Sequence, residues 1–123
     1  MSDKPTSIDS REVHELAAGE SRLFSCWYGD SLRDSDTVAS ATAAQTDEPT
    51  AGNGESNTLT VGSATVNSGG TVSVNGVIRA ISTVVQFRVT VPSTPALGDY
   101  VVTCTSTTTG SDILKRRCRI KVV

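Results

Sequence analysis

Tyr100-Val-Val-Thr-Cys-Thr-Ser-Thr-Thr-Thr-Gly-Ser-Asp-Ile-Leu-Lys-Arg-Arg-Cys-Arg-Ile-Lys-Val-Val123 closes the chain, and its alternation decides the fold class. Successive side chains of a strand point to opposite faces. On the first arm Tyr100, Val102 and Cys104 share the inward face, opposite Val101, Thr103 and Thr105. On the second arm Leu114, Cys118, Ile120 and Val122 share a face, and Lys115, Arg117, Arg119 and Lys121 take the other. Thr109-Gly110-Ser111-Asp112 lies between them as a turn, since Gly, Ser and Asp tolerate turn backbones. The segment reads as a hairpin with one apolar and one polar side.

The same period runs upstream. Val84-Val-Gln-Phe-Arg-Val-Thr-Val91 places Val85, Phe87, Val89 and Val91 on one face, with Gln86, Arg88 and Thr90 on the other. It reads as a central strand, and Pro92 to Gly98 as a crossover. Leu59, Val61, Ala64 and Val66 alternate roughly, and Asn67-Ser-Gly-Gly70 and Asn75-Gly76 read as turns after them. Ser21 to Tyr28 is a further strand with apolar residues on both faces, holding three of the five aromatic residues. Thr37 to Ala43 is another. Thr37-Val-Ala-Ser-Ala-Thr42 echoes Thr60-Val-Gly-Ser-Ala-Thr65, two similar strands and too few copies for a solenoid.

Two segments lack such a pattern. Residues 1–20 read as an N-terminal arm, in which Ser10 to Leu16 suits one capped helical turn or an extended lead-in strand. Residues 44–58 are polar, broken by Pro49, Gly52 and Gly54, and read as a long loop, either mobile or ordered by a partner. Gly29 to Asp36 carries three aspartates but lacks the calcium-loop pattern, so a solvated turn is expected.

Composition agrees. Of 123 residues, 16 are Ser, 17 Thr and 15 Val, types suited to pleated half-buried surfaces and turns. No apolar run reaches the ~18 residues of a membrane helix. Met1 to Ser10 shows no apolar signal-peptide core. With one histidine and no nucleophile-elbow, zinc-helix or phosphate-loop motif, no enzyme is expected. Cys26, Cys104 and Cys118 have no metal-site spacing, so neither metal nor cofactor is expected. They read as three buried thiols, or as one disulfide and a free thiol; Cys104 and Cys118 flank the last turn and are candidates to sit opposite each other.

The net charge of −2 hides a division: residues 1–60 carry 4 basic and 11 acidic side chains, residues 61–123 carry 7 and 2. That split points to complementary contacts, within the fold or between copies. The stripe Lys115, Arg117, Arg119, Lys121 suits an acidic protein partner or protection of an edge strand. Nucleic acid fits less well, because no aromatics interleave with the charges.

Gly98-Asp-Tyr-Val-Val-Thr-Cys104 resembles the penultimate strand of an immunoglobulin-like domain, with Tyr100 at the place of a tyrosine corner. It departs from antibody-type domains: Tyr100 precedes Cys104 by four residues rather than two, and Trp27 follows Cys26 directly. Cys26 to Thr42, with its aromatic segment, Asp-rich turn and Thr-Val strand, resembles the opening of the small immunoglobulin-like accessory proteins of tailed-phage virions. Tyr100 to Gly110, then Leu114 and Arg117 to Val122, resembles their closing hairpin. The resemblance covers residues 21–43 and 71–123. It implies an all-β, immunoglobulin-like antiparallel β-sandwich of about seven strands over residues 21–123. It also implies a non-enzymatic virion protein, made in the host bacterial cytoplasm, serving as capsid decoration, neck or tail-fibre attachment. Its partners would be other virion proteins and further copies of itself, with no nucleic acid or membrane. Candidate contact residues are Lys115, Arg117, Arg119, Lys121, Trp27 and Tyr28, together with the arm and the 44–58 loop. The alternative is an adhesive, carbohydrate-binding module.

Overall fold

The computed structural model describes residues 6–7 and 12–123, and among these it holds strands and turns but no helix. The closing hairpin forms as the alternation requires. β10 (Gly98–Thr108) and β11 (Ile113–Val122) pair antiparallel from Gly98↔Val122 to Thr107↔Ile113. β4 (Val38–Asp47) adds to the far side of β10, and β2 (Val13–Leu16) runs parallel to β11 over Arg119 to Val122. The order of this sheet is β2-β11-β10-β4. The second sheet is built on β9 (Val84–Thr90), which pairs antiparallel with β3 (Ser21–Trp27). β1 (Thr6–Ser7) lies along β3. The other side of β9 takes β5 (Thr60–Val61) and β6 (Thr65–Val66), whose registers differ by one residue across Gly62 to Ala64. A separate hairpin, β7 (Val72–Val74) with β8 (Val77–Arg79), lies between β6 and β9 in the chain.

The apolar faces of the two large sheets meet in one core. Phe24, Cys26, Val85, Phe87 and Val89 come from one sheet, and Leu16, Tyr100, Val102, Cys104, Cys118, Ile120 and Val122 from the other. Full burial of a Val, Leu, Ile or Phe side chain contributes roughly 1.5–3 kcal/mol through removal from water. Phe24 stacks on Phe87 at 5.9 Å between centroids and meets the His14 ring edge-on at 5.3 Å. The Tyr100 hydroxyl donates a buried 2.7 Å hydrogen bond to the Ala96 carbonyl, tying the crossover to the start of β10. The Ala96 amide in turn donates to the Ser56 carbonyl, and the Ser56 amide to that of Thr94, so one polar knot holds two connections.

Several expectations need correcting. The segment expected to be loop from residue 44 continues as strand to Asp47, because Ala44, Gln45 and Asp47 gain ladder positions on β10 without needing a large side chain. The remaining loop carries bonds within the chain: Gln45 bonds Asn57 and Leu59, and Asn57 bonds Pro49. Within the 1–20 arm, Val13–Leu16 takes the extended alternative, sealed by Leu16 in the core; Ser10 and the proposed cap lie outside the described residues. The described residues form eleven strands where about seven were expected, since the Gly62–Ala64 break and the 67–83 excursion divide one region into four short ones. Leu23, Val61 and Val72 are only half-buried, while Tyr28, Val38, Leu59, Val84 and Val91 are core residues. Cys104 stands opposite Arg116 and Cys118 opposite Val102, so those two thiols are not cross-strand partners.

Candidate protein-contact surface

The outer face of the four-stranded sheet follows from the hairpin's register. Lys115, Arg117, Arg119 and Lys121 stand exposed in one column on β11. Beside them on β10 are Thr105, Thr103, Val101 and Asp99, in that order. β4 adds Thr42 and Ala44 opposite Thr105 and Thr103, and Asp47 opposite Val101. Thr46 and Thr103 share a 2.8 Å hydroxyl hydrogen bond. On the other flank Val13, half exposed, sits opposite Arg119, and Glu15 opposite Lys121. The result is a basic column, a band of short hydroxyl side chains, and an acidic end at Asp47 and Asp99.

Among the described residues none of the four basic side chains has an ion-pair partner. The ion pairs use other arginines: Arg33 with Asp112 at 2.7 Å, Arg116 with Asp30 at 3.6 Å, and Arg22 with Glu20 at 2.6 Å. The first two join the two halves of the chain, and the Arg116 pair sets a base of the second half against an acid of the first. Part of the charge division is thus satisfied inside the fold. The column is the part that is not. An open concavity of about 1150 Å³ is lined by Asp47, Asp99, Thr103 and three of the column's residues, Lys115, Arg117 and Arg119, together with Asp30 and Arg116. Small-ligand pockets are enclosed and roughly 300–1,000 Å³, so this shape suits a macromolecular surface better.

Trp27 and Tyr28 do not join this face. Tyr28 is fully buried. Its hydroxyl reaches toward the Cys104 carbonyl at 3.4 Å, and the Arg116 guanidinium lies 4.8 Å from its ring centroid. Trp27 is half-buried, and the Arg79 guanidinium of β8 covers its ring at 3.6 Å. The chain turns immediately after this pair at Gly29, where any Cβ would collide with the Trp27 indole. Two adjacent apolar faces in one strand come from this double burial, a possibility that alternation alone leaves open. With Phe24, Phe87 and Tyr100 in the core, no aromatic ring is left bare for a ligand.

The three aspartates of the turn divide their tasks. Asp36 accepts hydrogen bonds from the amides of Thr37 and Gly110 and from the Thr109 hydroxyl, which hold its carboxyl below the usual range and pin the β10–β11 turn. Asp30 pairs with Arg116, and Asp34 is exposed. The thiols of Cys26, Cys104 and Cys118 are free and buried. Burial pushes those of Cys26 and Cys118 up to about 12. Among the described residues no group of three His, Cys, Asp or Glu side chains is arranged to hold a metal ion.

Sequence reasoning missed the β7–β8 hairpin's apolar flank, where Val77, Ile78 and Ile81 are exposed at 48%, 74% and 49%. Its Asn75-Gly76 turn, with φ of 52° and 77°, was legible, because such residues enter the left-handed region cheaply. Its apolar exposure was not. No known protein-family model matches the chain, and no curated protein sequence matches it.

Proposed function

We propose that the chain is a non-enzymatic structural protein of a tailed-phage particle, an immunoglobulin-like β-sandwich that acts through protein–protein contacts. The strand pairing supports the fold reading. One sheet places the first long strand, β3, beside β9; the other sets the closing hairpin beside β4 with a parallel lead-in strand, an arrangement compatible with immunoglobulin-like sandwiches. The Tyr100–Ala96 bond fits the tyrosine corner that the sequence resemblance implies.

The observation that carries the function is the exposed column Lys115, Arg117, Arg119, Lys121, without ion pairs among the described residues, on an open sheet face whose acidic side chains gather at one end. It fits an acidic surface of a neighbouring virion protein, with the threonine band supplying hydrogen bonds around it. Rim charges of this kind steer association and set specificity. The carbohydrate-binding alternative is less well supported, since sugars stack on exposed aromatic faces and all five aromatic side chains are engaged inside the chain.

The test is co-sedimentation of purified protein with particles assembled without it. Wild type binds in fixed stoichiometry, and a K115E/R117E/R119E/K121E variant does not. Failure of wild type to bind, together with retention on a glycan array, overturns the reading in favour of the adhesive module.

A further inference from the structure

β4 ends its sheet: β5 and β6 of the other sheet pass near it, but no strand pairs with it on the side away from β10. Its regular ladder on β10 runs from Ser40 to Gln45, bounded by extra residues at Ala39 and Thr46. Among the described residues, no backbone hydrogen bond reaches Ser40 to Gln45 from the side away from β10. Such a row of free amides and carbonyls is a template for another strand. Natural sheets guard these rows with charge, proline or shortness. This sheet does so elsewhere: β2 is four residues long and carries Glu15, and the part of β11 that β2 leaves uncovered carries Lys115, Arg116 and Arg117. Ser40-Ala-Thr-Ala-Ala-Gln45 has no charge, no proline and no bulky apolar side chain. The bulges at its two ends limit it, and at Gln45 so do the side chain's bonds to Asn57 and Leu59.

We infer that β4 is the homodimer interface: two copies join β4 to β4 antiparallel about a twofold axis, making one continuous eight-stranded sheet. A C2 interface must be self-complementary, and an uncharged strand meets its own copy without repulsion. An axis at Thr42 or Ala43 keeps even-numbered side chains together on the outer face, where Thr42 and Ala44 already lie. Asp47 and Glu48 fall beyond the Thr46 bulge, outside the paired stretch. The charge pattern favours this edge over the sheet face. Two copies packed face to face with their basic columns in register would repel, whereas edge pairing sets the columns five strand spacings apart. At ~4.8 Å per spacing that is about 24 Å, well beyond the ~8 Å screening length at physiological salt. The two columns then share one broad face. The inference concerns the purified chain alone and does not depend on the virion reading.

The experiment is sedimentation velocity from about 1 to 200 μM at physiological salt, with hydrogen exchange followed by mass spectrometry at both ends of that range. A monomer–dimer equilibrium is expected, with protection over residues 40–45 rising with concentration. A T42K/A44K variant, altered only at exposed outer-face positions, is expected to sediment as a monomer, at least tenfold weaker in self-association, with an unchanged far-UV spectrum. A wild type that stays monomeric at the highest concentration overturns the proposal. So does a dimer whose exchange at 40–45 is independent of concentration, or one that K115E/R117E/R119E/K121E dissociates and T42K/A44K does not. Should T42K/A44K misfold, the concentration dependence of exchange in wild type decides alone.

Discussion

Tyr100→Phe removes one oxygen atom and tests the knot that joins crossover, loop and sheet. Tyr100 is fully buried and Ala96 is 1% exposed, so the lost 2.7 Å bond leaves a carbonyl with no water to replace the hydroxyl. An unsatisfied buried acceptor costs about 1–3 kcal/mol, while the retained ring keeps the packing. Unfolding entropy near 2.1 cal/mol/K per residue gives about 0.26 kcal/mol/K for a chain of 123 residues. A cost of about 2 kcal/mol therefore lowers Tm by roughly 8 °C. The same change frees the crossover locally. Exchange of the Ala96 and Ser56 amides, which bond to Ser56 and Thr94, is expected to accelerate more than exchange in β9. Urea unfolding, calorimetry and hydrogen exchange read these effects. A variant within about 0.5 kcal/mol of wild type, the range of ordinary surface substitutions, with unchanged Ala96 exchange, refutes the reasoning.

Asn67→Ala is expected to cost about 2 kcal/mol, because its side chain bonds the carbonyls of Gly70 and Ala80 and the amides of Thr83 and Val84; proteolysis within 68–82 should quicken, and a resistant variant contradicts this. The K115E/R117E/R119E/K121E variant should unfold within about 1 kcal/mol of wild type in a urea titration, since the four side chains are exposed and without ion pairs among the described residues. The buried thiols make stability fall in alkali. Their folded values stand above the unfolded ones, so their contribution is complete below about pH 9 and is lost as pH rises toward about 12. Cys26 and Cys118 each remove about 1.4 kcal/mol between pH 8 and 10, measurable as a falling urea midpoint that Cys26→Ala should flatten. Alkylation after denaturation without reductant should label three cysteines, and labelling of only one contradicts the free-thiol assignment.

The sequence was most readable where large and small side chains alternate. Val84 to Val91 and the Tyr100–Val123 hairpin hold the faces that their period dictates, down to the exposed basic column. β4 was only half readable: Ala44, Gln45 and Thr46 carry no strong apolar signal, and their strand state comes from the β10 ladder. The candidate site divides in the same way. Lys115, Arg117, Arg119 and Lys121 lie where the register puts them, whereas Trp27 and Tyr28 are removed from the surface by Arg79, by Arg116 and by the turn at Gly29. Those contacts join residues 52 and 88 positions apart, and no local pattern announces them. The free β4 edge was invisible for another reason: an edge is defined by which strand is missing beside it, and only the sheet order shows that.

In the proposed function this chain is built into a phage particle by protein contacts. Quantitative mass spectrometry of purified particles, propagated from a genome that encodes the chain, tests it most directly. A particle protein is expected in fixed stoichiometry to the major capsid protein, about a dozen copies for a neck protein or hundreds for a capsid decoration. Its absence from particles, when the chain is present in the lysate that produced them, contradicts the account.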